Sequence, residues 1–322
     1  MDGVSVEGQR VRRDAPGSPG TSGGPSAGPA PARIGPAPGQ PQTPVPWTAI
    51  GLPTMASMLV VSLGRTGSRS FTARCQWPRL HPLNERSAEV RHHPLIMVES
   101  ARQLALAVER RHLLGEDAPA FVPASVGLGL RPGVQPQERD AATDVEALLV
   151  LSDLAAVRDR LTAYRITAEF RHRGAPFASC TMRLAAPARP RAASRADGPG
   201  PAGLLHPPAA AVGAAADGDV LVARAPQGRM VLLPRDPAHP VLLPGRPDRL
   251  PAPAVLEAAR QATLLRSGRT ADAVVGLSVD LRAPVPSYGA VIEVESEAAG
   301  SRFLVTAARR AVATGSVMLG RP

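Results

Sequence analysis

The chain has 322 residues and a formal net charge of +10, a length that allows two domains with a core each. The charge does not indicate nucleic-acid binding, because the arginines are scattered, aromatic residues make up only 3% of the chain, and no nucleic-acid-binding motif is present. Cys75 and Cys180 lack C-x-x-C spacing, which argues against a metal or redox motif. Without a long apolar run or a secretory signal pattern, we expect a soluble cytoplasmic protein.

Low-complexity sequence divides the chain. Residues 1–54 are rich in proline, glycine, serine and alanine, which predicts a disordered tail. Either Met55 or Met58 is compatible with the true start of translation. Residues 55–185 then predict a first domain, residues 186–217 a linker, and residues 218–322 a second domain.

The first domain begins with two strand-like runs, SMLVVSLG and SRSFTARCQW, separated by a turn. A loop with His81 and His92 leads into a long helix that ends near Arg110. FVPASVGLGL then reads as a strand, RPGVQPQERDAATDVE as a loop in which a further strand is left open, and LTAYRITAEF with PFASCTMRLA as a hairpin. The second domain repeats this order of elements.

A shared signature identifies the two helices as copies. HHPLIMVESARQ in the first and LPAPAVLEAARQ in the second match at a constant offset (257 − 99 = 158), and each glutamate follows a His-Pro pair by the same interval (99 − 81 = 257 − 239 = 18). Because the offset between the helices and the interval from each His-Pro pair to its glutamate are both constant, the chain contains an internal repeat. The matched positions are Glu99 with Glu257, Arg102 with Arg260, Gln103 with Gln261, and His81 with His239.

Each helix is apolar nearly all round except for its Glu–Arg pair, which predicts a buried helix. Burial costs an ion pair on the order of several kcal/mol per charge. A buried carboxyl with a raised pKa beside a guanidinium is therefore a candidate catalytic site. The alternative is a salt bridge between residues i and i+3 that only fixes helix packing.

The histidines also allow two interpretations each. His81 and His239 either line a pocket or cap a turn, and His92 either binds substrate or belongs to the first turn of the helix. One long helix wrapped by an antiparallel sheet, twice in one chain, predicts an α+β double hotdog. Two such units normally pair sheet edge to sheet edge, so we expect a pseudo-dimer within one chain.

With both helices and both His-Pro pairs in view, residues 57–320 resemble the tandem hotdog proteins of the A-factor biosynthesis family of actinobacteria. The resemblance implies an acyltransferase that moves a β-ketoacyl group from acyl carrier protein to the hydroxyl of dihydroxyacetone phosphate, for γ-butyrolactone-type signals. It places Glu99 and Glu257 as acid/base residues and Arg102 and Arg260 as their cationic neighbours. Where the second copy of the family usually has histidine followed by V-P-G, this chain has Arg249 and then Leu-Pro-Ala.

That reaction needs a base for the hydroxyl proton, donors for the developing oxyanion and a cation for the phosphate. We expect a glutamate with a raised pKa as the base, amides at the helix starts near His93-Pro94 or Pro251-Ala252 as the donors, and arginine at the phosphate. No cofactor or metal is required. The expected substrate-binding residues are His81, His92, His239, Gln103, Gln261 and Arg249.

Two other functions remain open. A hotdog thioesterase or dehydratase would use the same glutamate on acyl thioesters, and dependence on dihydroxyacetone phosphate separates it from the acyltransferase. A non-catalytic hotdog would bind acyl ligands without turnover, but a pure binder does not need two buried charge pairs.

Overall fold

The computed structural model describes residues 41–52, 55–84, 90–115, 118–138, 142–187, 203–270 and 273–320. Within these ranges two α-helices pack against one large antiparallel sheet, and none of the helices is long and apolar enough to span a membrane. The helices are α1 (Pro94–Val108) and α2 (Ala252–Ser267). The strands are β1 (Thr43–Pro44), β2 (Val60–Arg65), β3 (Ser70–Pro78), β4 (Val90–Arg91), β5 (Val122–Leu130), β6 (Gln137–Glu138), β7 (Ala142–Val157), β8 (Arg160–His172), β9 (Ala175–Ala185), β10 (Val222–Arg224), β11 (Met230–Leu232), β12 (Arg249–Leu250), β13 (Ala273–Leu281), β14 (Val285–Pro286), β15 (Ala290–Glu297), β16 (Gly300–Ala307) and β17 (Arg310–Gly320).

Thirteen strands form the main sheet, in the order β1-β2-β3-β7-β8-β9-β5-β13-β17-β16-β15-β11-β10. The strands of residues 41–187, the first half, lie on one side, and those of residues 203–320, the second half, lie on the other. The halves join where β5 pairs antiparallel with β13, with Leu128 opposite Leu277 and Val126 opposite Val279. These four side chains are buried, so the junction belongs to the core.

Both helices lie inside the molecule, as their sequences predict. Thirteen of the fifteen residues of α1 and thirteen of the sixteen residues of α2 are buried, including both glutamates, and the two helices contact each other. Alternating strand residues face these helices. In β9, which contacts α1, Cys180, Met182 and Leu184 are buried while the residues between them are more exposed.

The helices begin differently. His93 caps α1 because its Nδ1 accepts a hydrogen bond from the Leu95 amide at 3.2 Å, and Pro94 occupies the first position, where its missing N–H costs nothing. The equivalent residue before α2 is Pro251 (93 + 158 = 251), and α2 starts without a side-chain cap. α2 ends at Gly268, whose φ of 68° suits glycine.

Three segments are more ordered than the sequence suggested. Thr43–Pro44, within the expected tail, pairs with β2, and Val45 and Ile50 are buried, because this proline-rich stretch still supplies apolar anchors. In the expected linker, residues 188–202 lie outside the described residues, but residues 203–217 pack on the second half and bury Val212. β7 begins inside the loop segment for which the sequence leaves a further strand open. Residues 1–40 of the expected tail lie outside the described residues.

Candidate functional site

In α1 the helical spacing brings the three signature residues into one cluster. Arg102 Nε donates to Glu99 Oε2 at 2.8 Å, and Arg102 Nη2 donates to Glu99 Oε1 at 2.7 Å. Gln103 Nε2 adds a third hydrogen bond to Glu99 Oε1 at 2.9 Å. We call Glu99, Arg102 and Gln103 the α1 cluster.

The α2 cluster, formed by Glu257, Arg260 and Gln261, has the same geometry. Arg260 Nε donates to Glu257 Oε2 at 2.8 Å, Arg260 Nη2 donates to Oε1 at 2.7 Å, and Gln261 Nε2 donates to Oε1 at 2.8 Å. The repeat seen in the sequence is therefore a repeat of hydrogen bonds. A fork of two parallel bonds fixes both the distance and the plane of each carboxylate.

Each glutamine also ties its helix to the residues directly before a strand, β2 in the first half and β10 in the second. Gln261 Oε1 accepts from the Leu221 amide at 2.8 Å while its Nε2 donates to the Asp219 carbonyl at 2.7 Å. Gln103 makes the same pair of bonds to Leu59 and Ser57. Gln103 and Gln261 therefore position the glutamates, and their side-chain amides are occupied by protein groups.

The clusters differ in exposure. The Arg102 side chain is 31% exposed, whereas the Arg260 side chain is 7% exposed and donates a further bond to the Gly213 carbonyl at 2.7 Å. Gly213 lies in the segment expected to be a linker, which therefore closes the α2 cluster. Of these two arginines, Arg102 is the more open to solvent.

In the part of the chain that the structure describes, an imidazole contacts the carboxylate of the α2 cluster. His93, at the start of α1, places its Nε2 3.4 Å from Glu257 Oε2, so that the first half contributes a ring to the cluster of the second half. The side chains of His93 and Glu257 are 12% and 3% exposed. This distance is longer than a good hydrogen bond, which leaves both atoms capacity for a ligand.

Glu257 is held in its ionised form. Burial alone raises the pKa of its carboxyl, but Arg260 and His93 and the hydrogen bonds from Arg260 and Gln261 outweigh burial and bring the pKa below its usual value. The expected raised pKa is thus wrong for Glu257. The reason is that one carboxylate receives donors on both oxygens.

His93 is held neutral. Burial, with Arg260 and His81 acting in the same direction, lowers the pKa of His93 to about 4, although Glu257 and Asp219 oppose the shift. Because Nδ1 accepts from the Leu95 amide, the proton of the neutral ring lies on Nε2, facing Glu257. The site therefore pairs a carboxylate acceptor with an imidazole N–H donor.

His81 and His239 both cap turns, which was one of their two expected roles. His239 Nδ1 accepts from the amides of Val241 and Leu242, and His81 Nδ1 accepts from the amide of Leu83. His239 Nε2 also lies 2.8 Å from Asp219 Oδ1. His81 Nε2 is buried and has no partner among the described residues.

His81 lies close enough to Glu99, His92 and His239 to respond to their charges. Burial lowers its pKa to about 4, with Glu99 opposing the shift. The neutral ring carries its proton on Nε2, since Nδ1 is an acceptor.

His92 fits less well as a substrate-binding residue, whereas the role expected for Arg249 stays a prediction. His92 Nε2 lies 2.7 Å from Thr143 Oγ1, its Nδ1 lies 3.1 Å from Asn84 Nδ2, and its ring packs against Trp77. Both ring nitrogens are therefore used within the protein, and we replace His92 by its neighbour His93 in the candidate site. Arg249 lies half-buried in β12 before α2.

The expected oxyanion donors at the start of α1 are also occupied. Pro94 has no N–H, the Leu95 amide donates to His93 Nδ1, and the Ile96 amide donates to the His93 carbonyl at 2.9 Å. The ring of His93 takes their place as the available donor. Its position directly before a helix-starting proline was the signal in the sequence that could have identified it.

No group of three or more His, Cys, Asp or Glu side chains within the described ranges could hold a metal ion. Cys75 and Cys180 are buried in the core, where burial raises the pKa of each thiol to about 12. Neither cysteine is therefore a thiolate at neutral pH.

Comparison with known proteins gives a family match and several structural likenesses. The chain resembles a putative thioesterase from Novosphingobium aromaticivorans DSM 12444, at 15% identity over 81% of this chain and 98% of that one, with a TM-score of 0.48. It also resembles the dehydratase domain from the terminal module of the rifamycin polyketide synthase, at 16% identity over 85% and 99% of the two chains, with a TM-score of 0.47. A bifunctional dehydratase-cyclase domain in ambruticin biosynthesis gives 21% identity over 82% and 96%, with a TM-score of 0.44.

No curated protein sequence matches the chain significantly. The family model for the A-factor biosynthesis hotdog domain matches residues 36–187. That range contains β1 to β9, α1 and the α1 cluster, which agrees with the expected α+β hotdog fold. The resemblance drawn from the sequence is thereby confirmed over residues 36–187, which match the model of the A-factor biosynthesis hotdog domain.

Proposed function

We propose that the protein is an acyltransferase that moves a β-ketoacyl group from the thioester of acyl carrier protein to the hydroxyl of dihydroxyacetone phosphate. The family match of residues 36–187 supports this reaction class. The observation that carries the proposal is the buried carboxylate of Glu257, which Arg260 keeps ionised beside a neutral imidazole N–H.

The chemistry follows from these groups. The carboxylate takes the proton of the attacking hydroxyl, the hydroxyl oxygen bonds to the thioester carbonyl carbon, and the C–S bond breaks. The departing sulfur takes the proton back and leaves as a thiol, so the products are an ester and free carrier protein. A dry site favours this acceptor over water, since Glu257 and Arg260 are nearly inaccessible.

The two halves are best understood as two hotdog units arranged as a pseudo-dimer. Each half carries one central helix, the same three-residue cluster and the same glutamine bonds to an adjoining strand region. The pairing of β5 with β13 supports an edge-to-edge association of the two sheets.

Mass spectrometry of the products tests the proposal. The full chain is mixed with a β-ketoacyl thioester of acyl carrier protein, with and without dihydroxyacetone phosphate. The proposal predicts an acyl ester of dihydroxyacetone phosphate, or the butenolide that forms from it, only when both substrates are present. Free acid alone would indicate a thioesterase, loss of water would indicate a dehydratase, and binding without turnover would indicate a ligand-binding protein.

A further inference from the structure

The two clusters are chemically unequal, although their Glu–Arg–Gln geometry is the same. The α2 cluster faces the ring of His93, which comes from the other half of the chain. A two-fold relation between the halves would bring the start of α2 to the α1 cluster, but the residue there is Pro251, which has neither an imidazole nor an N–H. Pro251 is the residue that corresponds to His93 at the repeat offset of 158 residues. Unlike His93, it cannot donate a hydrogen bond to the cluster.

Exposure separates the clusters further. The Glu257 and Arg260 side chains are 3% and 7% exposed, while those of Glu99 and Arg102 are 11% and 31% exposed. An electrostatic donor is worth more where water is excluded. Among the described residues, the α2 cluster is the one whose carboxylate has an imidazole nitrogen in contact, at 3.4 Å, because His81 Nε2, near Glu99, has no partner.

We infer that the chain has a single catalytic centre, in which His93 Nε2–H donates to the developing oxyanion of the thioester carbonyl while Glu257 takes the proton of the attacking hydroxyl. Arg260 and Gln261 are positioning residues for Glu257. The α1 cluster supports the fold and does not catalyse. This inference rests on the proposed acyl transfer and adds where in the chain it occurs.

The position of His93 fits this role. Its Nδ1 is held by the Leu95 amide, which fixes the ring and keeps the donor proton on Nε2. Its 3.4 Å distance from Glu257 Oε2 allows a substrate oxygen to compete for that proton. The tetrahedral oxyanion accepts from Nε2–H and returns its electrons to the carbonyl as the C–S bond breaks, so His93 neither gains nor loses a proton over the cycle.

The test compares His93→Asn, Glu257→Gln and Glu99→Gln in the full chain. Asparagine caps helices well, so His93→Asn keeps the start of α1 but removes the ring donor. We expect kcat to fall about 100- to 1,000-fold for His93→Asn with KM changed less than about threefold. Glu257→Gln should lose at least about 100-fold, and Glu99→Gln, the matched control, should stay within about threefold of the wild type.

The unfolding temperature of each variant separates catalysis from folding, because both glutamate variants break the same kind of ion pair. Equal losses for Glu99→Gln and Glu257→Gln, or a normal kcat for His93→Asn, would overturn the inference of one centre. If the wild type makes no ester but hydrolyses the thioester, the proposed acyl transfer is wrong. The losses of hydrolysis in the three variants then test whether the chain has one catalytic centre. An absence of any turnover by the wild type contradicts both.

Discussion

At the level of single residues, Gln261 joins the Glu257 carboxylate to two backbone groups of the segment before β10. Its amide bonds the Leu221 amide, the Asp219 carbonyl and the Glu257 carboxylate. Gln261→Ala removes the side-chain partner of the Leu221 amide and of the Asp219 carbonyl, at a cost of about 1 kcal/mol or more each, and leaves the Glu257 carboxylate, among the described residues, with only its two bonds from Arg260. We expect the free energy of unfolding to fall by about 2 to 4 kcal/mol, as measured by denaturant titration.

Gln76→Ala provides the matched control, because Gln76 is exposed and makes one long contact with Asp144. The free energy of unfolding of Gln76→Ala should stay within about 0.5 kcal/mol of the wild-type value. A Gln261→Ala variant as stable as Gln76→Ala would show that the glutamine does not position the carboxylate.

The buried histidines predict how stability depends on pH. The folded pKa values of His81 and His93 are about 4, against 6.5 for the free side chain, so the unfolded chain binds more protons between these values. Their contribution is complete above the unfolded pKa and is lost as pH falls through the folded pKa. Each histidine should lower the free energy of unfolding by about 2 kcal/mol between neutral pH and about pH 5. The depressed pKa of Glu257 lowers stability in the same direction at still lower pH.

Denaturant titrations at pH 7 and pH 5 measure this loss. His81→Asn and His93→Asn should each flatten the pH dependence, because asparagine can accept the same backbone hydrogen bond without titrating. An unchanged slope in both variants would mean that the rings are not held neutral.

The sequence predicted contacts within each helix but not contacts between the halves. Glu99 with Arg102 and Glu257 with Arg260 follow from helical spacing, because residues three apart lie on one face. Helical spacing could not show which of His92 and His93 belongs to the site. Nothing local distinguishes two adjacent histidines, and the group that selects His93 is Glu257, which lies more than 150 residues later and in the other half of the fold (257 − 93 = 164).

At the level of elements, the end of α1 is fixed by a buried carboxyl. The helix continues as a π-helical turn, Glu109–Leu113, in which Glu109 accepts from the Tyr164 hydroxyl at 2.6 Å and from the Phe121 amide at 3.1 Å. Burial raises the pKa of Glu109, while these two donors and neighbouring arginines lower it. The contact links α1 to β8 and to the start of β5.

Tyr164→Phe should therefore destabilise the protein by about 1 to 3 kcal/mol, since it leaves a buried carboxyl without its shortest hydrogen bond. Thr162→Val, which removes a hydroxyl from an exposed bond on the same strand, should cost less than about 0.5 kcal/mol. Thermal and denaturant unfolding of the two variants measure the difference. Equal costs would contradict a structural role for the Tyr164–Glu109 contact.

Element prediction succeeded where apolar patterns were continuous. Both helices and the hairpin of β8 and β9 appear where the sequence placed them. β7 was largely missed: its first residues, from Ala142, belong to a polar segment in which the sequence leaves a strand open, and residues 147–157 were not predicted as a strand, although β7 pairs with both β3 and β8. β1 similarly depends on β2, since two residues of strand have no periodicity of their own.

At the level of the whole molecule, the junction of β5 and β13 should make the two halves unfold together. The buried side chains at the junction belong to one core, and α1 and α2 are in contact. Trp47 and Trp77 both lie in the first half, whereas strands of both halves contribute to far-UV circular dichroism. We expect tryptophan fluorescence and circular dichroism to give the same denaturation midpoint, and two separate transitions would show that the halves are independent domains.

We infer that the two halves, although each carries the same cluster, build one active centre between them. Isothermal titration with a β-ketoacyl pantetheine analogue, in which an amide replaces the thioester, measures the number of sites without requiring turnover. We expect one analogue bound per chain, with binding weakened by Glu257→Gln and retained in Glu99→Gln. Two analogues per chain, or binding that depends on Glu99 instead, would contradict the claim.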